Sequence, residues 1–153
     1  MTPPPVFTHQ YFSSKLCSAL EAMCPPKFVI VAGVEVRISK TRTFIPDAVA
    51  VTRQAAARHP ARFHPSEVTL AVEIVSPGSV SIDRVLKPAL YAAAGITSYW
   101  RVEPTEDYRL YAGSLAPGAA VYTSDGEFDD VVELTRPWPL RFDLTTLRDA
   151  LQL

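Results

Sequence analysis

Cysteine is scarce in this chain, and its scarcity excludes several chemistries. Cys17 and Cys24 are the only two. Their spacing fits neither a zinc ribbon nor a C-x-x-C redox pair, and a secreted disulfide scaffold needs more of them. Both read as reduced, packed thiols. The three histidines, at 9, 59 and 64, have no zinc-like spacing to either cysteine. Excess charge is missing as well. A formal net charge of -1 argues against binding nucleic acid by bulk electrostatics, while leaving room for a local basic patch. No apolar run approaches the length needed to cross a bilayer. The opening Met1-Thr2-Pro3-Pro4-Pro5 lacks the basic and apolar regions of a signal peptide, so a cytoplasmic location is expected. There is no G-x-S-x-G elbow, Walker loop or G-x-G-x-x-G, and therefore no sign of a nucleotide cofactor.

What is present describes one globular domain. The 153 residues are 48% apolar and 20% charged, enough to bury a core. Residues 1–8 read as an irregular proline-rich arm. From His9 to Met23 apolar residues recur at helical spacing, with Thr8 a candidate N-cap and Pro25-Pro26 as the stop; His9 and Glu21 on this helix read as solvated. Lys27 to Ser39 reads as a strand, and Thr43 to Thr52 as a second, antiparallel to it across a short polar turn. Arg53 to Pro65 reads as a loop or short helix. Its Arg53, Arg58, His59, Arg62 and His64, with Arg37, Lys40 and Arg42, form the one local basic concentration. That segment reads either as a solvated loop or as a surface that meets phosphates.

Glu67 to Val75 is nearly continuous in apolar residues, the pattern of a central strand covered on both faces. Ser76-Pro77-Gly78-Ser79 turns the chain, a helix is expected from Ser81 to Ala94 with Gly95 ending it, and Ile96 to Val102 is a further strand. Strand, helix and strand in that order imply a parallel pair joined by a crossover. Residues 108–111, 119–122 and 131–134 read as a peripheral antiparallel meander, and 144–151 as a closing helix capped by Asp143.

Four groups carry candidate chemistry: Asp47, Glu73, Asp83 and Lys87. Asp47 opens one apolar run, and Glu73 lies inside another, where a lone carboxylate is expensive to bury. Neighbouring strands could bring the two together as oxygen ligands for magnesium, which uses one or two carboxylates with water and substrate phosphate. Lys87 could supply positive charge beside them. A plainer reading also accounts for most of these residues. Asp83 and Lys87 form an i,i+4 pair that extends through Tyr91 as a polar stripe, and Asp47 after Pro46 suits a turn. Glu73 resists that reading, because burial demands a partner.

The segments I-P-D-A-V-A-V, L-A-V-E-I-V-S-P-G-S and D-R-V-L-K-P-A-L-Y-A-A-A-G-I-T-S-Y-W-R-V-E-P, in that order, closely resemble the Uma-two family of restriction-endonuclease-like proteins, in the PD-(D/E)XK nuclease superfamily. The resemblance is dense from Pro46 to Pro104 and looser elsewhere. It implies an α/β (α+β) fold, a restriction-endonuclease-like mixed β-sheet flanked by helices, making one domain over 1–153. It also implies a magnesium- or manganese-dependent endonuclease acting on DNA, and a homodimer. The dimer expectation leans on sheet edges and on Tyr99-Trp100 needing cover. By matching positions Asp47 is the first metal ligand and Glu73 the second. The lysine usual two residues after the second acid would fall at Val75; the matching lysine is Lys87 on the following helix, assisted by Asp83. Family members usually begin with a segment like Y-E-L-I-D-G-E-L, whose glutamate joins the acidic cluster and which has no match here. That departure keeps open a second reading, a catalytically degenerate nuclease-fold protein that binds nucleic acid or another protein. Pro88, directly after Lys87, either bends the helix or restarts it.

Overall fold

The computed structural model describes residues 7–76 and 82–153, and of Ile82 and Asp83 the backbone alone. The first helix, α1 (Phe7–Met23), buries Phe12, Leu16 and Leu20, which recur every four residues and so lie along one face. It begins two residues before His9, and the stacked rings of Phe7 and Tyr11, 5.4 Å apart, support that first turn. Most of the expected arm, residues 1–6, lies outside the described residues.

The two strands expected next are each split. The first becomes β1 (Phe28–Val31) and β2 (Glu35–Arg37), because Gly33 takes a left-handed conformation at φ 73° between them. The second becomes β3 (Thr43–Phe44) and β4 (Ala48–Thr52), parted at Pro46, which has no N–H to give a ladder. Antiparallel pairing survives in both halves, β1 with β4 and β2 with β3. The halves belong to different sheets. The basic segment 53–65 forms α2 (Arg53–Ala56) and β5 (Arg62–Phe63), and β5 pairs parallel with β2.

The principal sheet has six strands in the order β1-β4-β6-β7-β8-β9. Its centre is β6 (Val68–Ile74), buried as expected, and parallel to β7 (Ser98–Glu103). A turn of π-helix (Ile82–Leu86) and then α3 (Lys87–Ala93) link the two, and Gly95 leaves the helix at φ 87°. The expected turn at 76–79 and the helix start at Ser81 lie outside the described residues, apart from Ser76.

The antiparallel meander of the C-terminal third runs at the edge of the principal sheet. Strand β8 (Arg109–Ser114) pairs along its whole length with β7, and β9 (Thr123–Phe128) pairs with β8, so both extend the principal sheet. Residues 119–122 form a bend, and the strand follows them. Its sequence, T-S-D-G-E-F, has no apolar alternation, because it is an edge strand with polar side chains that discourage further pairing. Strand β10 (Val131–Leu134) stands apart and pairs with an unexpected partner, β11 (Leu140–Asp143). Helix α4 (Leu144–Asp149) follows, and Thr145 N–H donates to the capping Asp143 carboxylate at 2.9 Å.

Apolar side chains fill both faces of the sheet. On one, Phe12, Leu16 and Leu20 meet Ala48, Ala50, Leu70, Val72, Ile74 and Trp100. On the other, Val49, Val51 and Ala71 meet Tyr91, Ile96 and Tyr99, with Val36 and Phe63 of the small sheet. Tyr99 and Trp100 are 5% and 1% exposed. They sit on an interior strand and need no second subunit, which removes that argument for a homodimer. Among the described residues no helix is long and apolar enough to cross a membrane.

Leu16 is the test of the first layer. Leu16→Ala is expected to destabilise the fold by about 3 kcal/mol, through lost transfer energy and a cavity. Glu21→Ala, on the exposed side of the same helix, should stay within about 0.5 kcal/mol of wild type. Urea denaturation midpoints at unchanged slope check both; equal midpoints would detach α1 from the core.

Candidate active site

Asp47 stands one residue before β4, where Pro46 has broken the chain away from β3. One carboxylate oxygen accepts the main-chain N–H of Ile74, at the end of β6, at 2.7 Å. The other lies 3.1 Å from His9 Nε2, on the first turn of α1. His9 was expected to be solvated, but its side chain is 15% exposed and faces Asp47. Nothing in the helical pattern could have revealed this, because the contact spans 38 residues.

Glu73 lies on β6 beside the residue that Asp47 holds. The ladder of β4 and β6 ends where Ala48 faces Val72, and the Ile74 N–H bonded to Asp47 follows Glu73 directly. Glu73 is 2% exposed, and both of its oxygens are engaged. Lys87 Nζ lies 3.1 Å from Oε2, and Tyr91 donates its hydroxyl to Oε1 at 2.6 Å. Helical spacing of four puts the lysine and the tyrosine on one face of α3. The Phe44 ring supports both, with Lys87 Nζ 5.5 Å above it and Tyr91 edge-on at 5.5 Å. Pro88 falls in the first turn of α3, where a helix has no use for the missing N–H. The helix restarts there, and the restart places Lys87 over the end of β6. In the sequence Tyr91 stands at the end of the polar stripe, and its position four residues after Lys87 is the signal for this contact.

Asp83 lies on the π-turn one turn before Lys87, and its side chain is outside the described residues. The basic segment is largely spent on structure. Arg58 pairs with Glu67, Arg62 lies 3.4 Å from Glu35, and Arg53 donates to Pro26 O at 2.6 Å and Phe28 O at 3.4 Å.

A second buried acid escaped the sequence reading. Glu103, at the end of β7, is 1% exposed, and Arg84 from the π-turn grips it with both arms at 2.6 and 2.9 Å. Arg101 Nε lies 2.9 Å from Glu103 Oε1. An acid inside an apolar strand was the same signal that picked out Glu73.

The donor set is compatible with a hard divalent cation. Among the described residues no three His, Cys, Asp or Glu side chains gather as a ligand cluster. Two carboxylates are nonetheless the usual protein share of a magnesium site, the remainder being water and substrate phosphate. A carboxylate has about four lone-pair positions, so an oxygen that accepts one hydrogen bond can also face a cation.

A family model described as "Putative restriction endonuclease", Uma2, matches residues 1–144. The fold is similar to that of a crystal structure described as "a putative nuclease belonging to DUF820" from Anabaena variabilis ATCC 29413. The match has a TM-score of 0.69 and 17% identity, over 99% of this chain and 86% of that one. No curated protein matches the chain.

Two outcomes test this geometry. Lys87→Met leaves Glu73 buried with a lost cation and is expected to destabilise by about 3–5 kcal/mol, whereas the double variant with Glu73→Gln should recover part of that loss. Additive losses in denaturant melts would mean the two do not interact. The second outcome concerns Cys17. Burial, reinforced by the Asp47 and Glu21 carboxylates, pushes its thiol from 9.0 up to about 11. A raised folded value adds stability that is complete below pH 9.0 and is lost as the pH climbs toward about 11. At pH 8 roughly one such thiol in a thousand is ionised, so iodoacetamide should label Cys17 far more slowly in the folded protein than in urea. Equal rates would place Cys17 outside the core.

Proposed function

Because this chain belongs to the Uma2 family, we propose that it is a metal-dependent endonuclease that hydrolyses phosphodiester bonds in DNA. The observation that supports the reading is that both acids gather at the end of β6: Asp47 accepts the Ile74 N–H at 2.7 Å, and the neighbouring residue Glu73 has Lys87 3.1 Å away. Asp47 and Glu73 would hold magnesium or manganese, and the ion when bound would supply an acidified water and neutralise phosphoryl charge. The remaining tasks fall to the chain itself. The Ile74 N–H and His9 fix the Asp47 carboxylate, while Tyr91 and Lys87 fix that of Glu73, so neither acid needs to reorganise when substrate arrives. The Lys87 ammonium sets positive charge where negative charge grows on the phosphate oxygens. Asp83, one turn earlier, would hold Lys87 or a water. Residues 1–153 act as one domain, located in the cytoplasm. A second copy of the chain would dock on the edges of β1 and β9, which pair outward with no further described strand.

One observation favours a second reading. Lys87 and Tyr91 already satisfy Glu73, so the fold does not need a metal there, and a non-catalytic module that binds nucleic acid or protein would keep the same contacts.

Calorimetry with magnesium and manganese, with and without an oligonucleotide, separates the two. The nuclease reading expects binding in wild type, loss of it in Glu73→Gln, and metal-dependent DNA cleavage that falls to background in Asp47→Ala and Glu73→Gln. Cleavage retained in both variants would remove these acids from the site. No metal binding by a folded wild type, even with DNA present, would favour the non-catalytic module.

A further inference from the structure

Arg101 has more hydrogen-bonding capacity than the protein uses. It stands next to Glu73 in the parallel ladder, one strand away at about 4.8 Å, and its side chain shares that face of the sheet. Its guanidinium lies over the Tyr111 ring, 4.3 Å from the centroid, on the next strand. Its Nε is buried 2.9 Å from Glu103 Oε1, yet the N–H does not point along that line and makes no aligned hydrogen bond. Its two Nη groups make no hydrogen bond to any described residue.

Charge compensation for Glu103 does not explain this arrangement. Arg84 already donates to both Glu103 oxygens, at 2.6 and 2.9 Å, in the bidentate geometry that a guanidinium and a carboxylate prefer. Arg101 is the second cation on Glu103, and Glu106, which lies 3.7 Å from Arg84 and accepts the Tyr111 hydroxyl, is the other acid of the group. Stacking on Tyr111 and the nearby carboxylate hold it in one orientation, and 21% of the side chain remains exposed. The Nε stays against Glu103, so it is the two Nη groups that can take an outside acceptor, and a fixed guanidinium with spare donors matches the paired oxygens of a phosphate. Lys87 donates to Glu73, and Arg101 is a second cation beside that acid, in the ladder position facing Glu73.

We propose that Arg101 binds a phosphate of the nucleic acid flanking the one held at Asp47 and Glu73, with Tyr111 and Glu103 orienting its guanidinium. The assignment rests on the nuclease reading and adds a residue to it that touches substrate.

The test measures anisotropy of a fluorescein-labelled DNA duplex in EDTA at several salt concentrations, for wild type, Arg101→Gln and Arg101→Lys, beside wild-type cleavage in magnesium. Arg101→Gln should weaken binding about tenfold and lower the slope of log affinity against log salt by about 0.9, one phosphate contact. Arg101→Lys should keep the wild-type slope and lose affinity only a few-fold, because it retains the charge without the fork. Wild-type affinity and slope in Arg101→Gln, with wild type cleaving DNA, would overturn the proposal and leave the nuclease reading standing. A wild type that neither binds nor cleaves DNA would overturn both. If Arg101→Gln does not fold, Arg101→Lys decides, and undiminished affinity in it counts against the assignment.

Discussion

The buried carboxylate of Glu73 constrains everything near it. A carboxylate inside a central strand is tolerable only when its oxygens are paired and hydrogen-bonded, and the two groups that do this, Lys87 and Tyr91, both come from α3. Helix α3 is therefore confined in rotation, which brings the lysine and the tyrosine to one face, and in translation, which sets Lys87 over the end of β6. The restart at Pro88 becomes intelligible from this requirement. In a continuous α-helix through residues 82–93 the Pro88 ring would press on the Arg84 carbonyl and deny it an N–H donor, whereas a π-turn followed by a fresh start lets the ring occupy a first-turn position.

Asp47 does for the opposite layer what Glu73 does for α3. Its carboxylate joins the main chain of β6 to the first turn of α1, so the helices on the two faces of the sheet are each tied to one of the two acids. Both acids stand at the end of the antiparallel ladder of β4 and β6, whose last pair is Ala48 with Val72. The site is thus the point where both layers are fastened, and displacement of either helix would disturb the carboxylate it holds.

The parts of this arrangement that were legible in the sequence are those with local causes. The buried character of β6, the amphipathic α1, the Gly95 stop and the Asp143 cap follow from periodicity and capping chemistry within a few residues. Glu73 was legible because one acid in an apolar run has a physical demand attached to it. The splits at Gly33 and Pro46 were less so, since a strand pattern continues across a residue that only the backbone reveals as a break. The polar β9 and the apolar Tyr99-Trp100 misled in opposite directions, because position in the sheet, edge or interior, decided their composition. His9 was illegible: its partner is set by how α1 lies on the sheet, which no local pattern encodes.

The segment from Arg84 to Tyr91 is attached to the sheet in an unusual manner. Its apolar members Val85 and Leu86 are 72% and 43% exposed, while its charged members Arg84 and Lys87 reach into the sheet to Glu103 and Glu73. Ion pairs of this kind gain little stability over well-packed apolar residues of similar volume, since desolvation offsets most of the Coulomb attraction. A sequence shaped by stability alone would place valine or leucine at positions 73 and 103, as it does at the neighbouring Val72, Ile74 and Val102, and would turn the apolar side chains of the helix inward. Two acids in adjacent central strands, each gripped by a different cation from the same short segment, fasten that segment to the sheet at two fixed points, a constraint on position that apolar packing alone would not impose.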